Sequence, residues 1–356
     1  MLIASRCKRN YRPIGFKFIT CMNERGSKAN GFSIPICTFN GQKFLRDQLS
    51  SIENQTVLPS EVIAFDDGST DDTMSILHEF MQRVSFSMRV VQNERTFGFT
   101  QNLIQAVKQC SGNWIVLCDQ DDVWHPRKLE TMRDIFDASP EVNAIFTDGV
   151  IIDDQGNDTG ERLSQRFAFD HPRVQRDIRN DPLVILCRRN ICTGATLGLR
   201  ADIRDLIFPL PTTLPPDLIQ DGWIALVAAA TGGLRFLSEP LTYYRAHSAQ
   251  QIGVGDKRAK PSRLNRILGY IGRRRARLIF NAHRSMAIAS ALKERLGSSS
   301  GTERATAIAE HLKLRAGLVA IPRRRRFLPI LNETLHGRYH SYSKSTIVSQ
   351  TLDFLT

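Results

Sequence analysis

The segment Trp114–Trp124 constrains the fold more than any other part of this chain of 356 residues. It begins with five apolar residues, 114–118, which are typical of a buried strand in a parallel sheet. Three carboxylates follow at once, in Asp119, Asp121 and Asp122. Ligands of open α/β sheets bind beyond the carboxyl ends of the strands, and closely spaced carboxylates repel one another unless a cation offsets them. The segment therefore predicts a site for Mg²⁺ or Mn²⁺ carrying a diphosphate.

Strands and helices alternate at short intervals through the first 125 residues. The strand candidates are 32–39, 61–65, 88–91 and 114–118, and helices with apolar stripes separate them. This rhythm is typical of parallel strands with right-handed crossovers. The second strand also ends in paired carboxylates, Asp66 and Asp67, so we expect two acidic clusters at one edge of the sheet and nucleotide recognition by the second pair. Pro35 argues against a central position for the first strand.

The later elements are shorter and the composition changes near residue 256. We expect a polar loop over the cleft at 160–182, helices after Pro126 and at 224–230, and strands at 143–148, 150–152, 193–199, 234–236 and 241–244. Two basic helices joined by a linker at 297–301 follow. The predicted organisation is a loosely ordered leader at 1–30, an α/β domain at 31–255 with halves 31–125 and 126–255, and a basic helical extension at 256–356.

The positive charge of the chain belongs to its C-terminal part. The whole chain carries +12, whereas residues 256–356 hold 21 basic and 6 acidic residues and residues 1–255 carry −3. A basic tail can meet nucleic acid, anionic lipid or an acidic partner, or it can be a solvated face. We expect no nucleic-acid partner. Two interpretations stay open for 256–356: helices that pack on the protein, and a basic amphipathic surface against an anionic membrane.

The cysteines and the hydropathy pattern bear on location. The chain has 7 cysteines, an odd number without a C-x-x-C pair, which indicates buried free thiols in a reducing compartment. No stretch reaches the length of an apolar membrane span, and residues 1–30 lack a signal-peptide core. We expect a cytoplasmic protein, with a peripheral position on the inner face of the cell membrane if the tail binds lipid.

Other sites with acidic loops fit the sequence poorly. An EF-hand places Asp119, Asp121 and Glu130 correctly but requires glycine where Trp124 stands. Neither a G-x-G-x-x-G fingerprint nor a Walker A loop is present. Helix capping explains one carboxylate of the cluster but not three. On local grounds, Asp221 is equally well explained as a helix N-cap, and His247 as a surface residue.

Six segments together resemble the inverting glycosyltransferases of family 2, which have the GT-A fold. They are Cys37–Gly41, Asp66–Asp71, Phe97-Gly98 with Asn102, Asp119–Trp124, Asp221–Trp223 and Tyr244–Ser248. The resemblance covers about residues 31–250, and Asp119–Trp124 has the form common among rhamnosyltransferase-like members. Two departures are Phe39, where the family usually has tyrosine, and Ala249-Gln250-Gln251, which replaces a frequent asparagine pair.

The resemblance implies a fold, a reaction and a set of roles. The fold class is α/β, a single Rossmann-like GT-A sheet that is mixed but mostly parallel and flanked by helices, with the basic helical extension. The reaction is transfer of a sugar, with rhamnose favoured, from a dTDP- or UDP-linked donor to a saccharide or lipid-linked acceptor, by a single inverting displacement that needs Mg²⁺ or Mn²⁺. The implied roles are Asp221 as catalytic base, Asp121 and His247 at the metal, Thr193, Gly194 and Trp223 toward the acceptor, and Thr38, Asn40, Asp66, Asp67, Asn102, Asp119 and Gln120 toward the donor.

Two other functions stay open at this point. A sugar nucleotidyltransferase also places carboxylates at strand ends, but it typically begins with a Gly-rich loop containing Arg and Pro where this chain has Thr38–Gly41. A nucleotide-sugar-binding protein without catalysis is the second alternative, and the intact Asp121 and Asp221 argue against it.

Overall fold

A computed structural model describes residues 8–11, 17–22, 31–247, 263–342 and 346–355. The chain divides into two compact units. Unit 1 comprises Met1–Gln175, Ile191–Leu210 and Ile219–Val254, and unit 2 comprises Arg176–Asn190, Pro211–Leu218 and Gly255–Thr356. The expectation that the main domain spans 31–255 stays a prediction.

Unit 1 is built on one mixed sheet. Its strands are β1 Lys8–Tyr11, β2 Lys17–Met22, β3 Phe32–Thr38, β4 Glu61–Asp66, β5 Ser87–Asn93, β6 Trp114–Val116, β7 Val123–Trp124, β8 Ala144–Ile152, β9 Asp158–Arg162, β10 Leu197–Arg200 and β11 Leu234–Arg245. Their order across the sheet is β1-β2-β5-β4-β3-β6-β10-β8-β11-β7, and β9 pairs with β8. The pairs among β5, β4, β3 and β6 are parallel, and β10 runs antiparallel between β6 and β8. The predicted α/β class with a mixed sheet is confirmed.

Helices connect and flank these strands. Those of unit 1 are α1 Leu45–Glu53, α2 Thr73–Arg83, α3 Phe99–Lys108, α4 Lys128–Ala138, α5 Leu163–Arg166, α8 Arg204–Ile207 and α9 Gln220–Ala230, and α6 Pro172–Asn180 crosses into unit 2. Those of unit 2 are α7 Leu183–Leu186, α10 Arg263–Leu296, α11 Ser300–Leu318, α12 Phe327–Leu335, α13 Arg338–Tyr342 and α14 Thr346–Leu355. The helical character expected of 256–356 is confirmed for the described residues. Among these described helices, none is long and apolar enough to cross a membrane.

Pro35 lies in a central strand, contrary to the expectation from its missing N–H. The ladder between β3 and β6 pairs Phe32 with Trp114 and Ser33 with Ile115, and it then stops. Leu117 turns away and donates its N–H to Leu197 O, whereas Cys118 N returns to Pro35 O at 3.2 Å. Proline is tolerated because its missing donor coincides with the break in this ladder. The same break shortens the predicted fourth strand and frees residues 117–122 to form a loop.

Several predicted elements differ in extent. Residues 144–152 form one strand instead of two, and 234–245 likewise form a single strand. The segment 160–182 contains α5 and α6 instead of an irregular loop, and Gly194–Thr196 is a short 3-10 helix before β10. Within the leader, β2 pairs antiparallel with β5. Asp148 and Gly149 interrupt the apolar run of β8, which suggested two strands instead of one. Helix α6 was missed because only two of its nine residues, Val174 and Ile178, are apolar.

Candidate active site

The loop after β3 joins the two acidic strand ends. Thr38 donates its hydroxyl to Asp66 at 2.9 Å and accepts the N–H of Asp67 at its carbonyl oxygen at 2.8 Å. The side chain of Gln120 pairs with both backbone groups of Phe39, at 2.9 Å to the N–H and 3.1 Å to the carbonyl oxygen. The two clusters predicted from the sequence therefore lie at the same edge of the sheet, with one loop between them.

Asp66 shapes the turn that follows β4. Its side chain is fully buried and accepts hydrogen bonds from the hydroxyls of Thr38 and Ser69 and from the N–H groups of Gly68 and Ser69, the last at 2.8 Å. Gly68 has φ +85°, which glycine adopts without strain. Asn40 closes the turn from the other side, because its Oδ1 accepts the Thr70 N–H at 2.9 Å. The acceptor capacity of Asp66 is thus taken up by Thr38 and by the turn that contains Gly68 and Ser69.

Asp67 fixes the start of α3. Its Oδ1 accepts the Phe97 N–H and the Asn93 side-chain amide at 2.8 Å each, and its Oδ2 accepts the Gly98 N–H at 2.8 Å. Asn93 also donates to Asn102 Oδ1, and Asn102 donates in turn to Phe65 O at 2.7 Å. The predicted donor-side residues Asp67 and Asn102 therefore belong to one buried network that holds α3 against β4.

Replacing Asp67 with alanine is expected to lower the free energy of unfolding by about 2 kcal/mol or more. The buried Asn93 amide would lose an acceptor, which costs about 1–3 kcal/mol, and the part-buried N–H groups of Phe97 and Gly98 would lose theirs at a smaller cost. Chemical denaturation monitored by circular dichroism measures this loss. Asp72→Ala is the matched control, because Asp72 is exposed and makes no capping bond with its side chain. A loss below about 1 kcal/mol for Asp67→Ala would contradict the structural role.

Asp121 and His247 meet as the predicted metal-binding pair. Asp121 Oδ2 and His247 Nε2 are 2.9 Å apart, and both side chains keep some exposed surface, 18% and 10%. The His247 ring packs against Phe44 at 4.8 Å between centroids. The part of the chain that the structure describes holds no group of three or more His, Cys, Asp or Glu side chains arranged for a metal. Nucleotide-bound divalent cations use one or two protein carboxylates and take other ligands from phosphates and water, so this pair fits such a cation.

Three further carboxylates, those of Asp119, Asp122 and Asp221, lie near this pair. Burial and, to a lesser extent, the negative charges of Asp121 and Asp221 together raise the pKa of Asp119 to about 7. Burial also raises the pKa of the Tyr244 hydroxyl, with added effects of Asp122, Asp119, Asp121 and Asp221. Asp221, about a hundred residues downstream, therefore lies with the cluster in space. Such a concentration of negative charge favours a cation.

Asp122 and Arg245 hold the loop of residues 117–122, which carries the acidic cluster, in place. Asp122 is 1% exposed, its Oδ1 accepts the Arg245 N–H at 2.9 Å, and its Oδ2 has no hydrogen-bond partner among the described residues. Burial and the charges of Asp121 and Asp119 raise the pKa of Asp122 well above its usual range. The Arg245 guanidinium donates to Asp121 O at 2.8 Å and contacts Asp47 at 3.0 Å. The sequence resemblance included Arg245, but its bracing role was missed.

Asp221 lies in the first turn of α9, with 6% of its surface exposed. Its Oδ1 accepts the Gly222 N–H at 2.6 Å, and the helix N-terminus favours its negative charge. Thr100, in the first turn of α3, donates to Gln220 Oε1 at 3.1 Å and so ties the two helix starts together. Trp223 is fully buried and donates its indole N–H to Ile207 O at 3.0 Å. Its ring supports α9 and offers no surface to a ligand.

The segment predicted to face the acceptor, Thr193-Gly194, is partly exposed. Thr193 Oγ1 has no hydrogen-bond partner among the described residues, and a Cβ placed on Gly194 would meet no atom within 4 Å. The next turn is held by the buried Lys128, whose Nζ donates to Ala195 O at 2.6 Å and to Thr242 Oγ1 at 2.9 Å. Burial lowers the pKa of Lys128 to about 7, although Asp122 and Asp119 oppose this shift. Lys128 was missed, yet its position four residues before Met132 in the buried stripe of α4 was a visible signal.

Residues 33–197 match the family model named glycosyl transferase family 2. This stretch is slightly less than half of the chain, contains Asp66, Asp67, Asp119 and Asp121, and ends before Asp221. The match therefore supports a relationship to this family for the part of the chain that carries the acidic strand ends.

Similar proteins cover different shares of the chain. An uncharacterized glycosyltransferase of Nostoc sp. is 27% identical over 221 residues, which are 61% of this chain and 65% of that relative. Chondroitin synthase of Escherichia coli is 34% identical over 125 residues, 35% of this chain and 18% of that relative. The chain thus spans less than two thirds of the length of these relatives. The crystal structure of S. aureus TarS 1–349 with UDP-GlcNAc matches 91% of this chain and 90% of that chain at 17% identity, with a TM-score of 0.48.

Proposed function

We propose that this protein is a glycosyltransferase of family 2, which transfers a sugar from a nucleotide-diphosphate donor to an acceptor hydroxyl with a divalent cation and with inversion. The observation that carries the proposal is the proximity of Asp221, in the first turn of α9, to Asp119 and Asp121 in the loop after β6, with His247 in contact with Asp121. The match of residues 33–197 to the family model supports it.

The cation would be held by Asp121 and His247. When bound, Mg²⁺ or Mn²⁺ supplies positive charge that offsets the charge developing on the departing diphosphate. Asp119 is close to Asp121 and would contact either the cation or the ribose. Arg245 holds the backbone of Asp121 and, through its N–H, the carboxylate of Asp122, so the loop keeps its shape when donor enters.

The donor would lie over the loop after β3, the turn after β4 and the start of α3, which are linked by hydrogen bonds. Thr38, Asp66, Asn102 and Gln120 frame this loop, because their side chains hold backbone and one another. Asp67 Oδ2 accepts one bond among the described residues, from Gly98, and a carboxylate oxygen can accept a second, such as one from a base N–H. Asn40 is exposed at the loop and is available to the nucleotide.

Asp221 would be the general base. Its carboxylate takes the proton from the acceptor hydroxyl as that oxygen attacks the anomeric carbon, on the face opposite the departing diphosphate. One displacement of this kind inverts the configuration of that carbon. The open space beside Gly194, the residue after Thr193, would receive the acceptor. Trp223 would act through α9 rather than by contact.

The finer assignments concern the substrates and the place of action. The sequence resemblance favours rhamnose, a dTDP- or UDP-linked donor, and a polysaccharide or lipid-linked saccharide as acceptor. A cytoplasmic location, with peripheral contact between 256–356 and an anionic membrane, brings such an enzyme to a lipid-linked acceptor.

A thermal-shift screen identifies the donor. Purified protein is heated with a panel of UDP-, dTDP- and GDP-linked sugars, with Mn²⁺, with Mg²⁺ or with a chelator. We expect a rise in melting temperature with at least one donor only when a cation is present, because the cation links the diphosphate to the carboxylates. No stabilisation by any donor with either cation would contradict the donor class.

A further inference from the structure

Helix α12 exposes an apolar face to solvent. The exposed fractions are 60% for Phe327, 72% for Leu328, 39% for Leu331 and 76% for Leu335. Leu328, Leu331 and Leu335 follow at intervals of three and four residues, and Phe327 precedes Leu331 by four, so all four lie on one side of the helix. Isolated apolar side chains are common on protein surfaces, but four on a helix of nine residues form a patch.

The opposite, polar face holds α12 in place. Glu333 is 1% exposed and bonds to His311 Nδ1 at 2.6 Å and to Arg338 at 2.7 Å. Gln350 of α14 donates to Thr334 Oγ1 at 2.7 Å. A helix packed on a globular protein normally turns its apolar stripe inward, and α12 does the reverse. Its outward apolar face is therefore fixed by buried polar contacts.

A basic turn precedes this face directly. Arg323–Arg325 are exposed, and no carboxylate pairs with them among the residues that the structure describes. Arg275 of α10 reaches the same region, since its guanidinium and that of Arg326 both donate to Val319 O, at 2.7 Å and 3.5 Å. Positive charge thus collects at the start of α12 within unit 2.

We propose that Arg323–Arg325 and the exposed face of α12 form a docking surface for an anionic lipid bilayer. Nucleic acid would match the arginines but would leave the four apolar side chains in water. An apolar protein groove would cover those side chains but gives no reason for three consecutive unpaired arginines. The interface of an anionic bilayer matches both, because basic side chains meet the headgroups while apolar side chains enter the acyl boundary. This surface assigns the membrane contact proposed for 256–356 to particular residues. Its test does not depend on whether the protein transfers a sugar.

Vesicle co-sedimentation of the full chain tests the surface. The probes are vesicles of phosphatidylcholine alone and of phosphatidylcholine with phosphatidylglycerol, at low and high salt. We expect salt-sensitive binding to the anionic vesicles. The triple change Arg323→Gln, Arg324→Gln and Arg325→Gln should weaken binding about a hundredfold, at about fivefold for each arginine. Leu328→Gln with Leu335→Gln should weaken it at least about tenfold.

Matched variants of unit 1 serve as controls. Leu58→Gln changes an apolar side chain that is 46% exposed, and Arg46→Gln, Arg83→Gln and Arg133→Gln together remove three exposed arginines. Both controls should bind vesicles as the parent does. The proposal is overturned if the parent does not bind anionic vesicles. It is also overturned if the arginine and leucine variants of the docking surface bind them as well as the parent does. It is equally overturned if Leu328→Gln with Leu335→Gln only converts a dimer to a monomer, or if an RNA duplex displaces the vesicles at matched phosphate concentration.

Discussion

Replacing Asp221 with asparagine is expected to lower the rate of sugar transfer about 10²–10⁴-fold while donor binding changes little. A positioned general base contributes a factor of this size. Asparagine has the same shape and can still accept the Gly222 N–H, so the first turn of α9 should be preserved. Asparagine cannot take the proton of the acceptor hydroxyl. Transfer is measured by product formation with the donor found in the thermal-shift screen, and donor binding by calorimetry in the presence of the cation.

Asp205→Asn is the matched control for this change. Asp205 lies in α8 of the same unit with 94% of its side chain exposed, and its loss should leave transfer unchanged. The assignment of Asp221 as base fails if Asp221→Asn transfers sugar at more than about a third of the parent rate. Loss of donor binding in the same variant would instead make Asp221 a residue that holds the donor.

Replacing Asp121 with alanine is expected to remove the effect of the cation on donor binding and to reduce turnover about 10²–10⁴-fold. The reason is that the cation's stabilisation of leaving-group charge is worth several kcal/mol, and each 1.36 kcal/mol is a factor of ten. His247 would also lose the partner that lies 2.9 Å from its Nε2. Donor affinity is measured by calorimetry at several concentrations of Mn²⁺.

Asp134→Ala provides the control for Asp121→Ala. Asp134 is an aspartate of α4 with 58% of its side chain exposed, and its removal should leave the response to Mn²⁺ intact. If Asp121→Ala still binds donor more tightly as Mn²⁺ is added, the cation does not depend on Asp121.

The main strands were predictable because each is a compact apolar run followed by polar residues. Local sequence does not show how strands pair at a distance, and three errors have this origin. The run 114–118 was predicted as one strand, but Leu117 bonds to Leu197 and bends the chain away from β3. Pro35 was judged unfit for a central strand, but its missing donor falls at that bend. The strand β7 has only two residues, and it exists because β11 pairs with it.

The residue types at the site were predictable from the sequence. Which of them hold the loops by hydrogen bonds and which stay available to a ligand was not. The sequence order of acidic strand ends indicates a cleft, and the structure brings Asp121, His247, Asp119 and Asp221 together. Hydrogen-bond saturation is a property of three-dimensional neighbours, so only the structure shows Asp66 occupied by its own turn. For Lys128 the signal was available, since a lysine among buried apolar positions of a helix needs a buried partner.

The identity of the phosphate product distinguishes sugar transfer from nucleotidyl transfer. The parent is incubated with the nucleotide sugar that stabilises it, with Mn²⁺ and with an acceptor preparation, and the nucleotide products are separated by chromatography. Sugar transfer by this site predicts release of nucleoside diphosphate from the sugar donor, abolished by a chelator and by Asp121→Ala. Release of pyrophosphate from a nucleoside triphosphate and a sugar phosphate, without release of nucleoside diphosphate from any nucleotide sugar, would contradict it and identify a nucleotidyltransferase instead.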